Sequence, residues 1–385
     1  MQLITHNTYI IAGIYIHIPF CKKACHYCDF HFSTSLAKKE SMINALCKEL
    51  ELRKNELDTD IIETIYFGGG TPSICSVEEI NQLLNCVFSN YQVVKNPEIT
   101  LEANPDDLTA SKIKAFANTK INRLSIGVQS FFEEDLKLMN RAHNANEAYN
   151  SIKEAKEYFK NISIDLIYGT PGMTNENWIK NLEKAISLNI PHISSYALTV
   201  EPNTALEKQI QKGTTAPVND ASAEAHYQIL LTTMEANDYT NYEFSNFGKE
   251  GFFSQNNTGY WLGKKYIGIG PSAHSFNKKE RSWNIANNIL YIKSIEKSLI
   301  PNESETLSIT NQYNEYIMTG LRTIWGVSLD KIATDYGVKY NTHILNLSKK
   351  HIENKTLEIK NEHIHLTKKG KFLGDGIASD LFFLN

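Results

Sequence analysis

Short apolar segments alternate with helical segments through the first half of the chain. Apolar runs that end in polar or glycine residues are typical of buried strands, and the segments between them have helical periodicity. The expected strands are Ile14–Ile18, Thr64–Phe67, Glu98–Glu102, Arg123–Val128, Ser163–Ile167 and His192–Leu198. The expected helices are Lys38–Lys54, Val77–Asn90, Thr109–Ala117, Ala145–Lys160 and Asn175–Leu188. This succession predicts an α/β fold with a parallel sheet, curved into a full or partial barrel.

The alternation stops near residue 203, and the rest of the chain predicts other elements. They are the helices Asn219–Asn237, Asn311–Thr323 and Leu329–Tyr336 and a hairpin at Leu357–Leu366. The last two helices and the hairpin indicate a small α+β domain that resembles a winged helix in outline. We therefore expect a core barrel over residues 1–240, an extension of that core over 241–300 and a C-terminal domain over 301–385.

Composition and charge argue against several classes of protein. Of the 385 residues, 42% are hydrophobic and 21% are charged, which is typical of a globular protein with a sizeable core. The formal net charge of -4 offers no basic field for phosphates, so we expect no nucleic-acid partner. No apolar run approaches the roughly 20 residues that cross a bilayer. No basic residue precedes the apolar segment Ile10–Phe20, which we interpret as the first strand rather than a signal peptide, and we expect a cytoplasmic protein.

Three of the six cysteines lie within eight residues, directly after the first expected strand. Cys21, Cys25 and Cys28 form a C-x3-C-x2-C pattern, and such crowding in a chain without an export signal favours metal ligation over disulfides. Structural zinc takes four ligands, and no second CxxC pair completes a zinc site. The histidines that could supply a fourth ligand are His17, His26 and His31.

An iron-sulfur cluster is the interpretation that we favour over zinc. A [4Fe-4S] cluster normally takes four thiolates, so three cysteines leave one iron without a protein ligand. That iron can accept the amino and carboxylate groups of S-adenosylmethionine (SAM). Electron transfer from the reduced cluster then cleaves the sulfonium to a 5′-deoxyadenosyl radical, and the protein's task is to orient the cofactor.

Polar or glycine residues stand at the carboxyl ends of the expected strands. They are Cys21, the run Gly68-Gly69-Gly70-Thr71, Glu102, Gln129, Asp165 and Tyr196. Active sites of parallel barrels form at that face, where the loops from all the strands converge. We therefore expect these residues to line a common site.

Longer sequence motifs narrow the assignment to one family. They are Tyr15-Ile16-His17-Ile18-Pro19-Phe20-Cys21, Gly68-Gly69-Gly70-Thr71-Pro72-Ser73, Glu102-Ala103-Asn104-Pro105, Gly127-Val128-Gln129-Ser130-Phe131, Asn140-Arg141 and Asp165-Leu166-Ile167-Tyr168-Gly169-Thr170-Pro171-Gly172. With the cysteine pattern, they resemble the radical SAM superfamily. Within it they resemble the family that contains the oxygen-independent coproporphyrinogen III oxidase HemN and the heme chaperone HemW. The resemblance covers nearly the whole chain from about residue 13.

The resemblance implies a SAM pocket, cofactors and partners. The positions that match SAM-binding positions of the family are Tyr15, Tyr27, Gly69, Gly70, Thr71, Glu102, Gln129, Arg141, Asp165 and Ala197. The carboxylates of Glu102 and Asp165 suit hydroxyl or ammonium donors, and Arg141 suits a carboxylate. The glycines are expected to let SAM approach the backbone closely. The implied cofactors are a [4Fe-4S] cluster, SAM and heme. The implied partners are recipient hemoproteins of respiration or iron storage and an electron donor such as a flavodoxin or ferredoxin.

Two activities are compatible with this family. One is oxidative decarboxylation of coproporphyrinogen III to protoporphyrinogen IX, and the other is heme binding and delivery to hemoproteins. The oxidase resembles C-x3-C-x2-C-x-C, and the place of its fourth cysteine is Phe30 here. The oxidase also has a longer segment ahead of its cysteine loop, whereas 20 residues precede Cys21 here. Both differences favour the heme chaperone, with the oxidase as the alternative.

One sequence motif associated with heme departs from the chaperone pattern. The chaperones commonly have His-Asn-x-x-Tyr-Trp, and the matching stretch here begins with Asn256 in place of the histidine. Because an asparagine is a poor iron ligand compared with imidazole, we expect another donor. Our candidate is His274, with a core histidine as the alternative interpretation. Tyr260 and Trp261 have the character needed to stack on a porphyrin, although such aromatic pairs also occur in ordinary cores.

Overall fold

The computed structural model describes residues 11–57 and 60–384, so Ile10 lies outside the described residues. The strands are β1 (Ile11–Ile18), β2 (Ile61–Gly69), β3 (Val93–Ala103), β4 (Arg123–Gln129), β5 (Asn161–Tyr168), β6 (His192–Ala197), β7 (Thr240–Glu243), β8 (Asn246–Gly248), β9 (Lys265–Ile269), β10 (His274–Phe276), β11 (Glu280–Asn284), β12 (Asn302–Thr306), β13 (Val327–Ser328), β14 (Leu357–Lys360) and β15 (His363–Leu366). The helices are α1 (Lys39–Leu52), α2 (Val77–Asn90), α3 (Ala110–Ala117), α4 (Glu133–Leu138), α5 (Ala145–Lys156), α6 (Asn175–Ser187), α7 (Ala205–Gln211), α8 (Asp220–Glu235), α9 (Gln255–Trp261), α10 (Asn288–Glu296), α11 (Ile309–Leu321), α12 (Leu329–Lys331), α13 (Val338–Glu353) and α14 (Gly374–Asp380).

One large sheet organises the molecule. Strands β1 to β6 pair in parallel in chain order, as the alternation predicts. Strand β9 pairs in parallel with the other side of β1, so within the described residues the parallel centre has seven strands. Antiparallel strands continue the sheet at both edges, with β8 and β7 beyond β6 and with β10, β11 and β12 beyond β9. The segment expected as an extension thus contributes strands to the core sheet itself.

The helices after the strands cover the outer face of this sheet. Their starts follow from local sequence, because Ser76 and Asn144 each cap a helix while Glu79 and Glu147 complete the reciprocal capping box. The apolar faces of these helices are buried against the strands and form one hydrophobic cluster with them. The helices thereby bury one face of the sheet and leave the other face free to build a site.

The inner face of the sheet is polar. Side chains alternate along a strand, so Arg123 and Ser125 of β4 face inward while the intervening Leu124 is buried in the apolar cluster. Strands β1 to β6 all contribute side chains to a single inner cavity, so the sheet curves around it. Barrels of this kind are usually filled by branched apolar residues. A polar interior instead indicates space for a ligand.

A buried carboxylate fixes the added strands to helix α1. Glu49 accepts hydrogen bonds from Arg53 Nη1 at 3.0 Å, the Gly270 amide at 2.8 Å, Asn284 Nδ2 at 2.7 Å and the Tyr291 hydroxyl at 2.5 Å. These donors come from α1, α10 and the β9 to β11 region. The network holds β9 beside β1, the strand that leads into the cysteine loop.

The C-terminal region has its own apolar cluster and a three-stranded sheet in the order β13, β15, β14. The expected hairpin is present as β14 and β15, but one expectation for this region is wrong and one helix was missed. The segment Leu329–Tyr336 is not one α-helix, since α12 passes into a π-helical turn over Ile332–Tyr336. The long helix α13 was not expected. Within the described part of the chain, no helix is both long and apolar enough to cross a membrane.

Candidate functional site

The cysteine loop leaves β1 and is fixed by backbone contacts from several directions. The Cys21 amide donates to Ser33 O at 3.0 Å, which closes the loop on itself. The His26 amide donates to Met139 O at 3.1 Å, and the Leu206 amide donates back to His26 O at 2.8 Å. The segment after α4 and the start of α7 thus hold the loop in one conformation. Its three cysteines are unpaired and half-buried.

Two polar side chains contact the thiols. The Thr71 hydroxyl lies 3.4 Å from Cys21 Sγ, and Arg141 Nη1 lies 3.2 Å from Cys25 Sγ. Burial raises the pKa of the Cys21 thiol and raises that of Cys28 to about 11. These thiols are therefore protonated at neutral pH unless a metal displaces the protons, as iron and zinc do.

The donor set fits an iron-sulfur cluster better than zinc. Each of the three histidines near the loop uses one ring nitrogen in another hydrogen bond: His17 Nε2 bonds to His31 O at 2.9 Å, His26 Nδ1 to Leu138 O at 2.9 Å and His31 Nε2 to Asn288 Oδ1 at 2.7 Å. Over residues 11–57 and 60–384, no three His, Cys, Asp or Glu side chains are grouped so as to hold a single metal ion. Cluster thiolates bind separate irons and stand further apart than the ligands of one zinc ion.

The glycine run packs against the cysteine loop. A Cβ on Gly70 would lie 2.6 Å from Phe20 O and 2.8 Å from Phe20 N, both backbone atoms of the residue before Cys21. A Cβ on Gly69, whose φ is +109°, would lie 2.6 Å from the His17 ring. The expected reason for these glycines, close approach of SAM, is therefore incomplete. The structure requires them first so that the turn after β2 can pack against β1 and its loop.

A cavity of 610 Å³ opens beside the three thiols at the carboxyl ends of the strands. The residues singled out from the sequence that line it are Cys21, Cys25, Tyr27, Cys28, Gly69, Gly70, Thr71, Glu102, Gln129, Arg141, Asp165 and Ala197. Two of the expected residues do not line it: Tyr15 lines a smaller cavity of 220 Å³ deeper in the barrel, and Gly68 lines neither cavity, whereas Tyr196 lines both. The two cavities share Glu102 and Asp165, among other residues.

Glu102 and Asp165, which line both cavities, have pKa values that make their charge depend on pH near neutrality. Glu102 accepts a hydrogen bond from the Tyr66 hydroxyl at 2.8 Å, and burial raises the pKa of Glu102 to about 7. Burial also raises the pKa of Asp165 to about 6, with Arg123 acting in the opposite direction. Both groups are therefore charged above neutral pH and lose charge as the pH falls through 7 and 6.

Arg141 bridges the cysteine loop and the strand ends. Its Nη2 donates to Asn104 Oδ1 at 2.7 Å and to Gly127 O at 2.8 Å, while Nη1 reaches Cys25. These contacts orient the guanidinium into the cavity, where a carboxylate would find a fixed partner. Asn104 belongs to the motif Glu102-Ala103-Asn104-Pro105, but the sequence alone did not indicate it as a site residue.

Other interior residues were missed because their positions look unremarkable in the sequence. Arg123, only 2% exposed, is the first residue of an apolar strand, and the sequence pattern predicts no other role for it. It lines the smaller cavity with Tyr66 and Ser194. The signal available was the two-residue alternation that places Arg123 on the same face as Gln129.

The residues considered for heme do not lie together. Asn256 is buried in the smaller cavity, where its Oδ1 accepts from Thr64 Oγ1 at 3.1 Å. Tyr260 also lines that cavity and, with Trp261, lines a third cavity of 530 Å³ between the extension and the C-terminal region. His274 is exposed on β10 opposite Trp283 and is not among the residues that line these three cavities.

Comparison with known proteins shows the family and the fold. The Radical SAM superfamily model matches residues 15–198, and the HemN C-terminal domain model matches residues 307–373. The chain is 34% identical over 372 residues to the heme chaperone HemW of Bacillus subtilis, which covers 95% of this chain and 98% of that protein. It is 34% identical over 365 residues to the HemW of Lactococcus lactis, which covers 94% of this chain and 95% of that one. The solved coproporphyrinogen III oxidase HemN of Escherichia coli, a radical SAM enzyme, matches with a TM-score of 0.84 at 20% identity, covering 97% of this chain and 90% of that one. The last match confirms the α/β fold expected from the sequence.

Proposed function

The chain belongs to the HemW heme chaperone family within the radical SAM superfamily, and on this basis we propose that it binds a [4Fe-4S] cluster, SAM and heme and transfers heme to hemoproteins. The observation that carries the proposal is the 34% identity to a heme chaperone over 98% of that protein's length. The match includes the barrel and the C-terminal domain, so it concerns the whole architecture and not the SAM-binding half alone.

Residues of the chain have distinct tasks in this proposal. Cys21, Cys25 and Cys28 would hold the cluster, which in its reduced form supplies an electron to bound SAM. Arg141, fixed by its contacts to Asn104 and Gly127, would bind the carboxylate of SAM. The remaining SAM contacts come from the carboxylates at the strand ends.

Glu102 and Asp165 would accept hydrogen bonds from the ammonium or ribose hydroxyl groups of SAM. A carboxyl group accepts such bonds much more strongly when it is ionised, so SAM binding should weaken as the pH falls through the pKa values of about 7 and 6. Tyr27, Gln129 and Ala197 line the same cavity and would exclude water from the bound SAM.

Heme would be handled by the extension of residues 241–300 and not by the barrel interior. Asn256 is buried and hydrogen-bonded, so it does not replace the family histidine as an iron ligand. We propose His274 as the ligand, because its exposed imidazole is accessible to a large ligand. Partial desolvation and the nearby Arg281 lower its pKa, which favours the neutral imidazole that binds iron. Trp261 would supply stacking surface on the heme.

The chaperone activity is favoured over the oxidase by Phe30. This side chain stands where the oxidase has its fourth cysteine, and it is 69% exposed at the mouth of the cavity. An exposed aromatic ring offers contact area to a large apolar partner and no metal ligation. We propose recipient hemoproteins of respiration or iron storage as partners, a flavodoxin or ferredoxin as electron donor, and the cytoplasm as location.

Heme transfer is the experiment that tests the proposal. Anaerobically reconstituted protein is titrated with heme and then mixed with an apo-hemoprotein, and the Soret band reports where the heme is bound. In parallel, the protein is incubated with coproporphyrinogen III, SAM and reductant. We expect stoichiometric heme uptake, transfer to the acceptor and no protoporphyrinogen. Protoporphyrinogen formed at many turnovers without heme transfer would replace the chaperone with the oxidase.

A further inference from the structure

Arg123 is a buried cation that the proposed SAM contacts leave unassigned. It is 2% exposed at the first position of β4, and its Nε has no hydrogen-bond partner within the described part of the chain. Among the same residues, no carboxylate lies within 4 Å of its guanidinium, in contrast to the buried Arg53, which pairs with Glu49 and Glu56. An arginine that only stabilises a fold is normally paired in this way when it is buried.

The guanidinium lines the polar cavity of 220 Å³ together with Glu102 and Asp165, which stand on the neighbouring strands β3 and β5. Those two residues also line the 610 Å³ cavity proposed for SAM. Arg123 therefore lies below two carboxylates whose other side meets the ligand. Its charge acts favourably on both of them across the cavity.

Few of the other groups around the carboxylates carry charge near neutral pH. Tyr15 of β1, Tyr66 of β2 and Tyr260 of α9 act on Glu102, with Cys21 nearby, while Tyr27 and Tyr196 act on Asp165. Burial raises the pKa of each of these tyrosines, so they stay neutral. Arg141 is the second cation, but it stands on the ligand side, where SAM would engage it.

We propose that Arg123 is a positioning residue for the SAM site, a fixed counter-charge deeper inside the barrel that keeps Glu102 and Asp165 ionised toward the ligand. It touches neither SAM nor the cluster and acts through the two carboxylates. This inference rests on the proposed SAM site. It explains why the chain maintains an unpaired guanidinium in a buried position, which is otherwise costly.

The predicted consequence is a change in the pH dependence of SAM binding. Removing the Arg123 charge should raise the pKa of Asp165 by about 1 unit, because Arg123 is the largest influence opposing burial there. The pKa of Glu102 should rise less, because the Tyr66 hydrogen bond and the charge of Asp165 act on it more strongly than Arg123 does. SAM affinity is present above these pKa values and is lost as the pH falls through them. In Arg123→Met the loss therefore begins at higher pH. A rise of one pKa unit approaches a tenfold loss of SAM affinity only near pH 5.5, below both pKa values, whereas at pH 7.5 the loss is about fourfold at most.

The experiment measures the dissociation constant of SAM by anaerobic equilibrium dialysis on reconstituted protein from pH 5.5 to 9.5. We expect Arg123→Met and Arg123→Gln to shift the midpoint upward and to approach wild-type affinity at the alkaline end. Arg123→Lys, which keeps a positive charge, should have a midpoint close to that of the wild-type protein. Arg53→Met is the matched control, because it removes another buried arginine away from the cavity and should lower stability without moving the midpoint.

The possible outcomes separate this inference from the proposed function. If wild-type protein binds no SAM at any pH, the SAM site itself is wrong. If wild-type binds SAM but the neutral variants keep its midpoint, or lose affinity equally at every pH, Arg123 does not act through the carboxylates. If both neutral variants fail to fold while Arg123→Lys and Arg53→Met fold, Arg123 is a structural residue and the inference is overturned.

Discussion

Replacing Gly70 by alanine should destabilise the cysteine loop before any cofactor binds. The added Cβ would lie 2.6 Å from Phe20 O, 2.8 Å from Phe20 N and 2.9 Å from Ile18 O, all of them backbone atoms. A side chain can rotate away from such an overlap, whereas β1 and the turn after β2 can separate only by shifting the backbone. Cys21, which follows Phe20 directly, would move with it.

The size of the effect follows from the contacts that such a shift loses. Inserting one methyl group into a closely packed site costs about 1 to 3 kcal/mol. The shift also strains two hydrogen bonds, from the Gly70 amide to Ile18 O at 2.9 Å and from the Thr71 amide to Phe20 O at 2.7 Å, each contributing about 1 kcal/mol. We therefore expect the free energy of unfolding to fall by about 2 to 4 kcal/mol.

The assay is anaerobic urea unfolding of metal-free Gly70→Ala, followed by iron and sulfide analysis after reconstitution. Gly376→Ala in helix α14 is the control, because a Cβ there meets nothing within 4 Å and the stability should stay the same or rise slightly. If Gly70→Ala matches wild type in stability and cluster content and loses only SAM affinity, close approach of the cofactor is the reason for this glycine and the packing argument is refuted.

Three further predictions concern other parts of the molecule. Glu49→Gln should lower the free energy of unfolding by about 2 to 4 kcal/mol in urea titrations, because buried donors lose a charged acceptor, whereas Glu51→Gln on the exposed side of the same helix should change it by less than about 0.5 kcal/mol; equal effects would contradict the network. Arg141→Met should weaken SAM binding about 10- to 100-fold in equilibrium dialysis, because charge-assisted hydrogen bonds are lost, and unchanged affinity would remove the residue from the SAM site. His274→Ala should weaken heme binding and shift the Soret band, while His365→Ala should do neither, and identical spectra for both variants would exclude His274 as the iron ligand.

The parallel centre of the sheet could be predicted because its signals are local and repeated. Strands β1 to β6 are long apolar runs followed by capped amphipathic helices, and the order of such units fixes their pairing. The seventh parallel strand, β9, could not be predicted in this way. It is five residues long, contains Gly268 and pairs with β1 from about 250 residues further along the chain. Pairing over such a separation leaves no periodic trace in the sequence.

The functional site was likewise predicted only in part. The cysteine spacing and the motifs shared with the family predicted residues that the fold brings to one cavity, with Tyr15 in the adjoining cavity. Glu49 and Arg123 were missed, because a charged residue within a helix or at the start of a strand normally faces solvent. For Arg123 the two-residue alternation in its strand was a weak signal against that rule. Only the curvature of the sheet and the packing of α1 bury them. The reason for Gly70 also needed the structure, since the sequence cannot tell a close ligand from a close backbone.

The central claim is that three thiolates leave one iron of a [4Fe-4S] cluster open for SAM. The most direct test is electron paramagnetic resonance of the anaerobically reconstituted and reduced protein with and without SAM. We predict the signal of a reduced [4Fe-4S] cluster that changes in shape and position when SAM is added. A protein without iron and sulfide, or a cluster signal that SAM leaves unchanged, would contradict the claim.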